Sequence, residues 1–418
     1  MTTASRPETT LQHVFREVSA RGDISARDLG RILTLRPSTI GEKLRELQRR
    51  GVVEWRARRG HSGRVTLNPA FGCVAGIDMG ASNLRFALAD FRGQLLTTVT
   101  ERITPEDGPR KMIARINQGI RGLVDAAPSG EPPALARRPP GSVKAGRSGR
   151  SCLKAIAIGV PSPADPERGV VAFANNLPGW KNIHLGRELE KEFRVPVFLE
   201  NDANMAAIGE HWRGVARGVS HFVFIALGTG IGSGIFVDGK LYRGRTGNAG
   251  ELYRMNVEWQ RWADDFGDMG YFETHVSGLG IAAAGRRALN HSAAGRRPVA
   301  PPPGGLATER DAQFVFDAFR RDDARARAVL ERIFTILGVG VANLVSVLDP
   351  DLVVFGGGLV RGAPDLLVQT VERVVGRIHA DLAPPIRLSS LEDKAQAYGA
   401  IASALSLAYQ AAAEQLAG

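Results

Sequence analysis

The chain has 418 residues, of which 44% are apolar, and a net charge of +11. This length suits two or three domains with real cores and argues against one small domain. With two cysteines the chain cannot form a disulfide framework, and a metal site built mainly from thiolates is nearly excluded.

The positive charge lies mainly near the N-terminus. Residues 1–72 carry 14 Lys or Arg and seven Asp or Glu, residues 129–154 carry six basic residues and one acidic residue, and the remainder is nearly neutral. A basic N-terminal module on a neutral body predicts a polyanion partner for that module. An arginine-rich proteome is the alternative source of this charge.

The first 70 residues predict a winged helix-turn-helix DNA-binding domain. Apolar residues recur at helical spacing in residues 9–22, 24–35 and 36–51, with Asp23 or Ser25 as the candidate cap of the second helix. Residues 52–69 then predict two short strands around an Arg-rich turn. A tri-helical protein-binding domain is the alternative interpretation.

In a winged helix the third helix enters the major groove, and the hairpin contacts phosphate or the minor groove. The candidate DNA contacts are therefore the polar residues of the third helix and the arginines of the wing. They are Arg36, Ser38, Thr39, Lys43, Arg45, Arg56, Arg58, Arg59 and Arg64. The alternative for each arginine is a solvated surface position.

From Cys73 onward, predicted strands alternate with helices. Residues 127–151 are rich in Pro, Gly, Ser and Arg and predict a disordered insertion, and residues 294–305 predict another loop. The longest uncharged run, residues 333–348, contains Gly, Asn and Ser and is short of a membrane span, so it predicts a buried helix. The polar N-terminal residues lack a secretory pattern, and we expect a cytoplasmic protein without a membrane partner.

Three glycine-rich turns, DMGASN, GTGIGSG and GGG, each follow a predicted strand. Backbone NH groups can wrap phosphate only where no Cβ intervenes, so we expect these turns to present free NH groups. The candidate nucleotide- and phosphate-binding residues are Asp78, Gly80, Ser82, Asn83, Gly228, Thr229, Gly230, Gly232, Gly356, Gly357 and Gly358.

In this order, and with ENDANMAAIGE, NNLPGW, NAGE and ETHVSG between them, the turns resemble the ROK family of repressors and sugar kinases over nearly the whole chain. The resemblance implies an α/β protein with two actin-like (ribonuclease-H-like) domains forming a sugar kinase fold, preceded by the winged helix-turn-helix. The implied domains are 1–70 and 71–418, with lobes at about 71–200 and 201–400. The C-terminal helix is expected to return to the first lobe.

The family pattern makes Asp202 the base that takes the proton from a sugar hydroxyl, which is a role that phosphoryl transfer requires. The same pattern implies sugar contacts at Asn176, Asn201, Glu251 and Glu273 and a magnesium- and phosphate-positioning role for Asp78. ATP and Mg²⁺ are the implied cofactors where kinase chemistry is retained. The structural alternative is that Asp202 and Glu251 cap helices or pair with arginines.

The sequence departs from the family at its zinc site. Arg254 stands where the family usually has a histidine. The three cysteine positions of the family's metal knuckle are occupied by Asp264, Phe266 and Tyr271. Tetrahedral zinc requires thiolates and imidazoles, so we expect no zinc at these positions. Phe266 and Tyr271 are expected to pack as a small apolar cluster instead.

Arg254 also changes the predicted sugar site. A guanidinium only donates and is always charged, so near Glu251 and Asp202 it would favour ionised carboxylates and weaken Asp202 as a base. It would also receive an acidic sugar through a bidentate pair. The alternative is an ion pair with Glu251 that closes the site. Ser162, at a family glycine, also alters the sugar loop.

Two main functions follow from these features. The winged helix favours a sugar-responsive transcriptional regulator, most simply a repressor, with operator DNA and a neutral or acidic sugar as partners. The retained Asp78, Asp202 and glycine turns favour an ATP-dependent sugar kinase. A purely structural actin-like assembly module is a third hypothesis. Family resemblance and two-fold operators imply a homodimer or a dimer of dimers.

Overall fold

The structure, a computed structural model, describes residues 8–56, 63–80, 83–104, 107–126, 152–173, 178–290 and 312–417. Contacts divide the chain into two compact units. Unit 1 comprises Met1–Val160, Ala164–Glu200 and Ala400–Gly418, and unit 2 comprises Pro161–Pro163 and Asn201–Gly399. The predicted loops at 127–151 and 294–305 lie outside the described residues.

Unit 1 begins with three helices and a three-stranded sheet. The elements are α1 (Thr10–Arg21), β1 (Asp23–Ser25), α2 (Ala26–Ile32), α3 (Pro37–Arg49), β2 (Val53–Trp55) and β3 (Arg64–Leu67). The sheet order is β1-β3-β2, with both pairs antiparallel. The sequence did not predict β1, because three residues are too few to show alternation and the strand forms only by pairing with β3.

The core of this winged-helix module matches the sequence pattern. Ser25 caps α2, and its hydroxyl accepts from the Asp28 NH at 3.0 Å. The apolar positions predicted on the first and third helices are buried: Leu11, Val14, Phe15, Val18, Ile40, Leu44 and Leu47. The helical spacing of the apolar residues therefore identified the packed faces of both helices.

The larger part of unit 1 is a mixed sheet with helices. Its elements are β4 (Cys73–Met79), β5 (Asn83–Asp90), β6 (Leu95–Arg102), α4 (Pro109–Asp125), β7 (Leu153–Val160), β8 (Ala164–Asp165), β9 (Val170–Phe173), β10 (Lys181–Ile183), α5 (Leu185–Phe193) and β11 (Val197–Asn201). The main sheet has the order β11-β7-β4-β5-β6, in which β4 runs parallel to β7 and antiparallel to β5. Strands β10, β9 and β8 form a small antiparallel sheet.

The winged-helix module packs on the rest of unit 1. The Tyr409 ring, on α12 (Ala395–Gln415), lies edge-on to Phe15 of α1 and to Phe91, with centroid distances of 6.4 and 5.0 Å. The guanidinium of Arg92 donates to Glu54 Oε2 at 2.7 Å and to Thr66 Oγ1 at 2.8 Å. These aromatic contacts and Arg92 are among the contacts that hold the module against this unit.

Unit 2 is a second mixed sheet with helices. Its elements are α6 (Asp202–Arg213), β12 (Phe222–Leu227), β13 (Ile231–Val237), β14 (Lys240–Leu241), α7 (Gly270–Val276), α8 (Gly278–Asn290), α9 (Gln313–Arg320), α10 (Ala324–Leu348), β15 (Leu352–Gly356), α11 (Pro364–His379) and β16 (Ile386–Leu388). The sheet order is β14-β13-β12-β15-β16, with β12 parallel to β15 and antiparallel to β13. The predicted strand pair around GTGIGSG is the β12–β13 hairpin.

Helix α10 contains the long uncharged run. By length and composition alone it is apolar enough to cross a membrane, but half of its most apolar window is buried inside the protein. Leu330, Phe334, Leu337 and Val341 lie in the main core of unit 2. The predicted buried helix is confirmed, and it begins nine residues before Ile333.

Candidate functional site

Four of the predicted sugar-binding residues belong to unit 2: Asn201, Asp202, Glu251 and Glu273. Asp202 is the first residue of α6, directly after β11, and it is half-buried. Asn201 is the N-cap: its side-chain oxygen accepts from the Ala203 NH at 2.9 Å and from the Asn204 NH at 3.3 Å. Asp202 Oδ1 also accepts from the Ala203 NH at 2.8 Å, so both residues satisfy the first turn of α6, and the capping alternative for Asp202 stays open beside the sugar role. The helix N-terminus stabilises the Asp202 carboxylate.

Asn201 also connects to the loop that contains Ser162. Its Nδ2 donates to the Ser162 carbonyl at 3.4 Å, while the Ser162 hydroxyl donates to the Pro163 carbonyl at 2.9 Å. Ser162 itself is buried. The serine that replaces the family glycine is therefore satisfied inside the loop.

Glu273 connects α7 to the turn between β12 and β13. Its Oε2 accepts from the Ile231 NH at 2.9 Å. A side chain at Gly230 would overlap the same carboxylate, so Glu273 would have to move to admit any other residue there. Glu273 therefore shapes the glycine turn and still places a carboxylate beside it.

Two carboxylates of this site have raised pKa values. Burial raises the pKa of Glu273, and the nearby Glu251 charge adds to this, although the Ile231 NH partly offsets it. Burial also raises the pKa of Glu251, and this effect exceeds the lowering by Arg254. Arg254 acts in the expected direction, but the net pKa of Glu251 is raised, because desolvation outweighs the charge of a solvent-exposed guanidinium.

A Glu251→Gln variant tests this electrostatic balance. With a raised pKa, the folded protein binds more protons than the unfolded chain between the ordinary and the raised pKa, so the free energy of unfolding falls as pH rises through that window. We expect the variant to be more stable than the parent at about pH 7 and to lose this advantage at about pH 4. Denaturant unfolding at both pH values measures the effect, with Glu372→Gln on the exposed face of α11 as the control. A variant less stable than the parent at neutral pH would contradict the prediction.

Arg254 ends a 3₁₀ turn, Leu252–Arg254, and is exposed. Its Nε donates to the Tyr253 hydroxyl at 2.8 Å, and its guanidinium lies 5.1 Å from the centre of that ring. Tyr253 therefore holds the Arg254 guanidinium through one hydrogen bond and a ring contact.

The positions of the family's zinc knuckle form an aromatic cluster. The rings of Phe266 and Tyr271 pack edge to face at 5.3 Å, and Tyr271 stacks on His275 at 4.2 Å. Arg261 covers the cluster and donates to Asp264 at 2.8 Å. The predicted packing of Phe266 against Tyr271 is confirmed. Among the residues described, no three His, Cys, Asp or Glu side chains are placed to hold a metal ion.

An open cavity of about 420 Å³ lies beside this cluster, and Arg254, Trp262 and Asp264 are among its lining residues. The sequence reasoning overlooked Trp262 and Trp259, which are 80% and 77% exposed. The sequence did carry a signal for them, because two of its five tryptophans lie within one stretch of four residues.

The glycine turns differ from the prediction of free NH groups. The Gly80 NH donates to the Asn83 carbonyl at 2.9 Å, and the Gly228 NH donates to the Gly230 carbonyl at 3.0 Å. Gly357 has a φ of 94°, and a side chain there would overlap the Leu227 carbonyl. The prediction is wrong at Gly80 and Gly228, because tight turns close with their own hydrogen bonds.

Other glycines of the predicted nucleotide site also have packing reasons. A Cβ on Gly232 would lie 2.8 Å from Ala203 Cβ, and one on Gly356 would lie 2.6 Å from the Phe224 ring. Thr229 is at the tip of the β12–β13 hairpin, and Gly358 begins a 3₁₀ turn. Packing alone therefore explains glycine at several of these positions, without any need for a bound nucleotide.

Asp78 lies in unit 1, at the end of β4, and is 2% exposed. Its Oδ2 accepts from Arg85 Nη1 at 3.1 Å, because the two residues face each other across β4 and β5. The sequence reasoning missed Arg85, although it stands in the same motif. Ser82 and Asn176 lie outside the described residues.

The predicted DNA contacts lie on α3 and the wing. Arg36, Ser38 and Arg45 are exposed, whereas Thr39 and Lys43 are half-buried. Lys43 pairs with Glu42 at 2.9 Å, and Arg64 pairs with Asp23 at 2.7 Å. Arg56 is exposed, and Arg58 and Arg59 lie outside the described residues.

The sequence profile of the ROK family matches residues 142–406 of this chain. A glucokinase of Thermotoga maritima is 32% identical over 307 residues, which cover 73% of this chain and 88% of that protein. A putative xylose repressor of a Caldicellulosiruptor species is 27% identical over 392 residues, 92% of each chain. The chain belongs to the ROK family.

Solved structures agree with this assignment. A ROK hexokinase from Thermus thermophilus is 27% identical, with a TM-score of 0.61 over 80% of this chain and 97% of its own. A ROK family transcriptional regulator, a homologue of the E. coli MLC protein, has a TM-score of 0.73 at 23% identity and covers 96% of this chain and 97% of its own. The fold is therefore the actin-like fold of ROK repressors and sugar kinases.

Proposed function

We propose that this protein is a sugar-responsive transcriptional repressor that binds operator DNA through α3 and the wing. The observation that carries the proposal is the extent of similarity. The relatives described as xylose repressors match 92% of this chain, whereas the glucokinase match leaves about a quarter of it unaligned. The winged-helix module, which a kinase does not need, supports the same function.

The proposed effector is a sugar or sugar derivative bound by Asn201, Asp202, Glu251 and Glu273, with Asn176 as a further contact. Carboxylates and amides accept from and donate to vicinal hydroxyls in fixed geometry, which suits a carbohydrate. The sugar releases DNA only if it binds the DNA-free state more tightly than the DNA-bound state. We propose that the repressor acts in the cytoplasm as a homodimer on a two-fold operator.

Sugar kinase activity is the alternative function, and retention of Asp202 and of the glycine turns favours it. In that case the turns around Gly230 and Gly357 would hold ATP, Asp78 would position Mg²⁺, and bound MgATP would supply the phosphoryl group. Two observations weaken this alternative. Asp78 is already paired with Arg85, and the glycines have packing reasons of their own.

The first experiment is capture of genomic DNA fragments by the purified protein at stated salt, with and without a panel of neutral and acidic sugars. Enrichment of two-fold sites that one sugar releases would support the repressor. Absence of any specific site across salt conditions would contradict it. Salt must be controlled because phosphate contacts dominate nonspecific affinity.

Thermal unfolding with MgATP separates the two functions. A nucleotide present at 100 times its dissociation constant stabilises the folded protein by about 2.7 kcal/mol. A shift of that size, followed by turnover with a sugar, would favour the kinase. An unchanged unfolding temperature would count against it.

Exchange of Arg254 for the family's histidine tests the nature of the effector. Because Arg254 adds a permanent cation at the rim of the Glu251 site, we expect Arg254→His to weaken binding of an acidic sugar by roughly 10-fold or more relative to its neutral counterpart. Paired calorimetric titrations with glucose and glucuronate measure the ratio. Arg320→His on α9 is the control, and an unchanged ratio would refute an acidic preference.

A further inference from the structure

The two cysteines of the chain lie in contact. Cys73 begins β4 and Cys152 immediately precedes β7, and these strands are parallel neighbours. The Cys73 NH donates to the Cys152 carbonyl at 2.8 Å, and the two Sγ atoms are 2.8 Å apart as free thiols. A disulfide has an S–S distance of about 2.05 Å, so bond formation requires an approach of only about 0.8 Å.

The two thiols differ in environment. Cys73 is 4% exposed, and its hydrogen bond to Cys152 together with burial raises its pKa. Cys152 is partly exposed, and the hydrogen bond from Cys73, with the nearby Lys154 ammonium, lowers its pKa to about 7. The thiolate is the nucleophilic form of cysteine, so Cys152 is the attacking group and Cys73 is the resolving group.

We propose that Cys73 and Cys152 form a redox modification site, closed to a reversible disulfide by a hydroperoxide, at the junction between the winged-helix module and β4. The Cys152 thiolate attacks a peroxide oxygen, the O–O bond breaks, and the displaced hydroxide takes a proton to leave as water. Cys73 sulfur then attacks the Cys152 sulfenic acid, the S–O bond breaks, and the Cys73 proton leaves with the hydroxide as a second water. Hydrogen peroxide is reduced to two waters as the two thiols are oxidised.

The segment that joins the winged-helix module to β4 is tightly packed, so a change at Cys73 or Cys152 must move its neighbours. A side chain on Gly72 would lie 2.7 Å from the Cys152 carbonyl. The preceding residue, Phe71, packs on Phe91 at 4.8 Å and lies under the Lys154 ammonium at 4.5 Å. Phe91 contacts Tyr409, which contacts Phe15 of α1. Closure of the disulfide therefore acts on the aromatic stack that fixes the DNA-binding module.

The chemical test uses the reduced full-length protein and hydrogen peroxide. We expect loss of both thiols per chain and a tryptic species joining residues 65–85 to residues 151–154, which dithiothreitol reverses. In Cys73→Ser, a dimedone adduct should form on Cys152, because the resolving thiol is absent. Two free thiols after peroxide, or sulfinic acid on Cys152 with Cys73 still free, would overturn the site.

The functional test compares reduced and oxidised protein on DNA, and this part rests on the proposed repressor function. We expect the disulfide form to bind operator at least about fivefold more weakly than the reduced form, at the lower end of typical coupling between sites. Cys73→Ser/Cys152→Ser should bind DNA with an affinity that peroxide does not change. Equal affinity of the reduced and disulfide forms would overturn the coupling. If no operator exists, the peptide test alone still decides the modification site.

Discussion

Asp202→Asn is expected to bind operator DNA like the parent protein but to lose most of its response to sugar. The substitution keeps the side-chain shape and the oxygen that accepts from the Ala203 NH at 2.8 Å, so α6 should begin at the same residue. It removes the charge that, in the proposed site, would accept from a sugar hydroxyl. A hydrogen bond to a charged group contributes about 1.5–3 kcal/mol, so the dissociation constant for the sugar should rise roughly 10- to 150-fold.

Titration of the releasing sugar against a fluorescent operator complex measures this effect. Asp238→Asn, in the exposed turn between β13 and β14, removes the same charge outside the candidate site and should respond like the parent. If the kinase alternative is correct, Asp202→Asn should instead lower kcat by about 10²- to 10⁴-fold, as expected for loss of a general base. If the variant has a normal sugar response and unchanged turnover, Asp202 is not part of the sugar site.

Arg45→Ala should weaken operator binding by about 1–3 kcal/mol while the sugar affinity stays unchanged. Arg45 is exposed on α3, and among the ion pairs of the described residues it takes part in none, so its guanidinium is available to DNA. Lys43 and Arg64, by contrast, already pair with acidic neighbours. Alanine is the best helix former, so α3 itself should not be weakened.

The salt dependence of the same variant distinguishes two kinds of contact. Loss of a phosphate contact should reduce the slope of log affinity against log salt by about one and weaken all DNA sequences alike. Loss of a guanine contact should relax specificity at one operator position. Arg320→Ala on α9 changes the net charge equally and serves as the control. Unaltered affinity and slope for Arg45→Ala would mean that α3 does not face DNA through this residue.

The hydrophobic periodicity of the sequence was sufficient for most of the fold. The positions of α1, α2 and α3, the β4–β5 and β12–β13 hairpins and the buried α10 follow from local apolar patterns and turn residues, which act over a few neighbouring positions. Strand β1 did not follow, because its stabilisation comes from pairing with β3, about 40 residues away. The fit of Phe266 against Tyr271 was predictable because both replaced ligands of one compact knuckle.

The sequence by itself determined the family, the chemical character of the candidate site and the loss of the zinc ligands, because residue types at fixed spacing carry that information. Only the tertiary structure decided which groups are already satisfied. Arg85 pairs with Asp78, Glu273 accepts from the Ile231 NH, the NH groups of Gly80 and Gly228 are used in their own turns, and burial reverses the expected pKa shift of Glu251. The contact between Cys73 and Cys152 belongs to the same class, since it joins residues 79 positions apart. Desolvation and partner geometry depend on what surrounds a side chain in space, and spacing along the chain does not specify it.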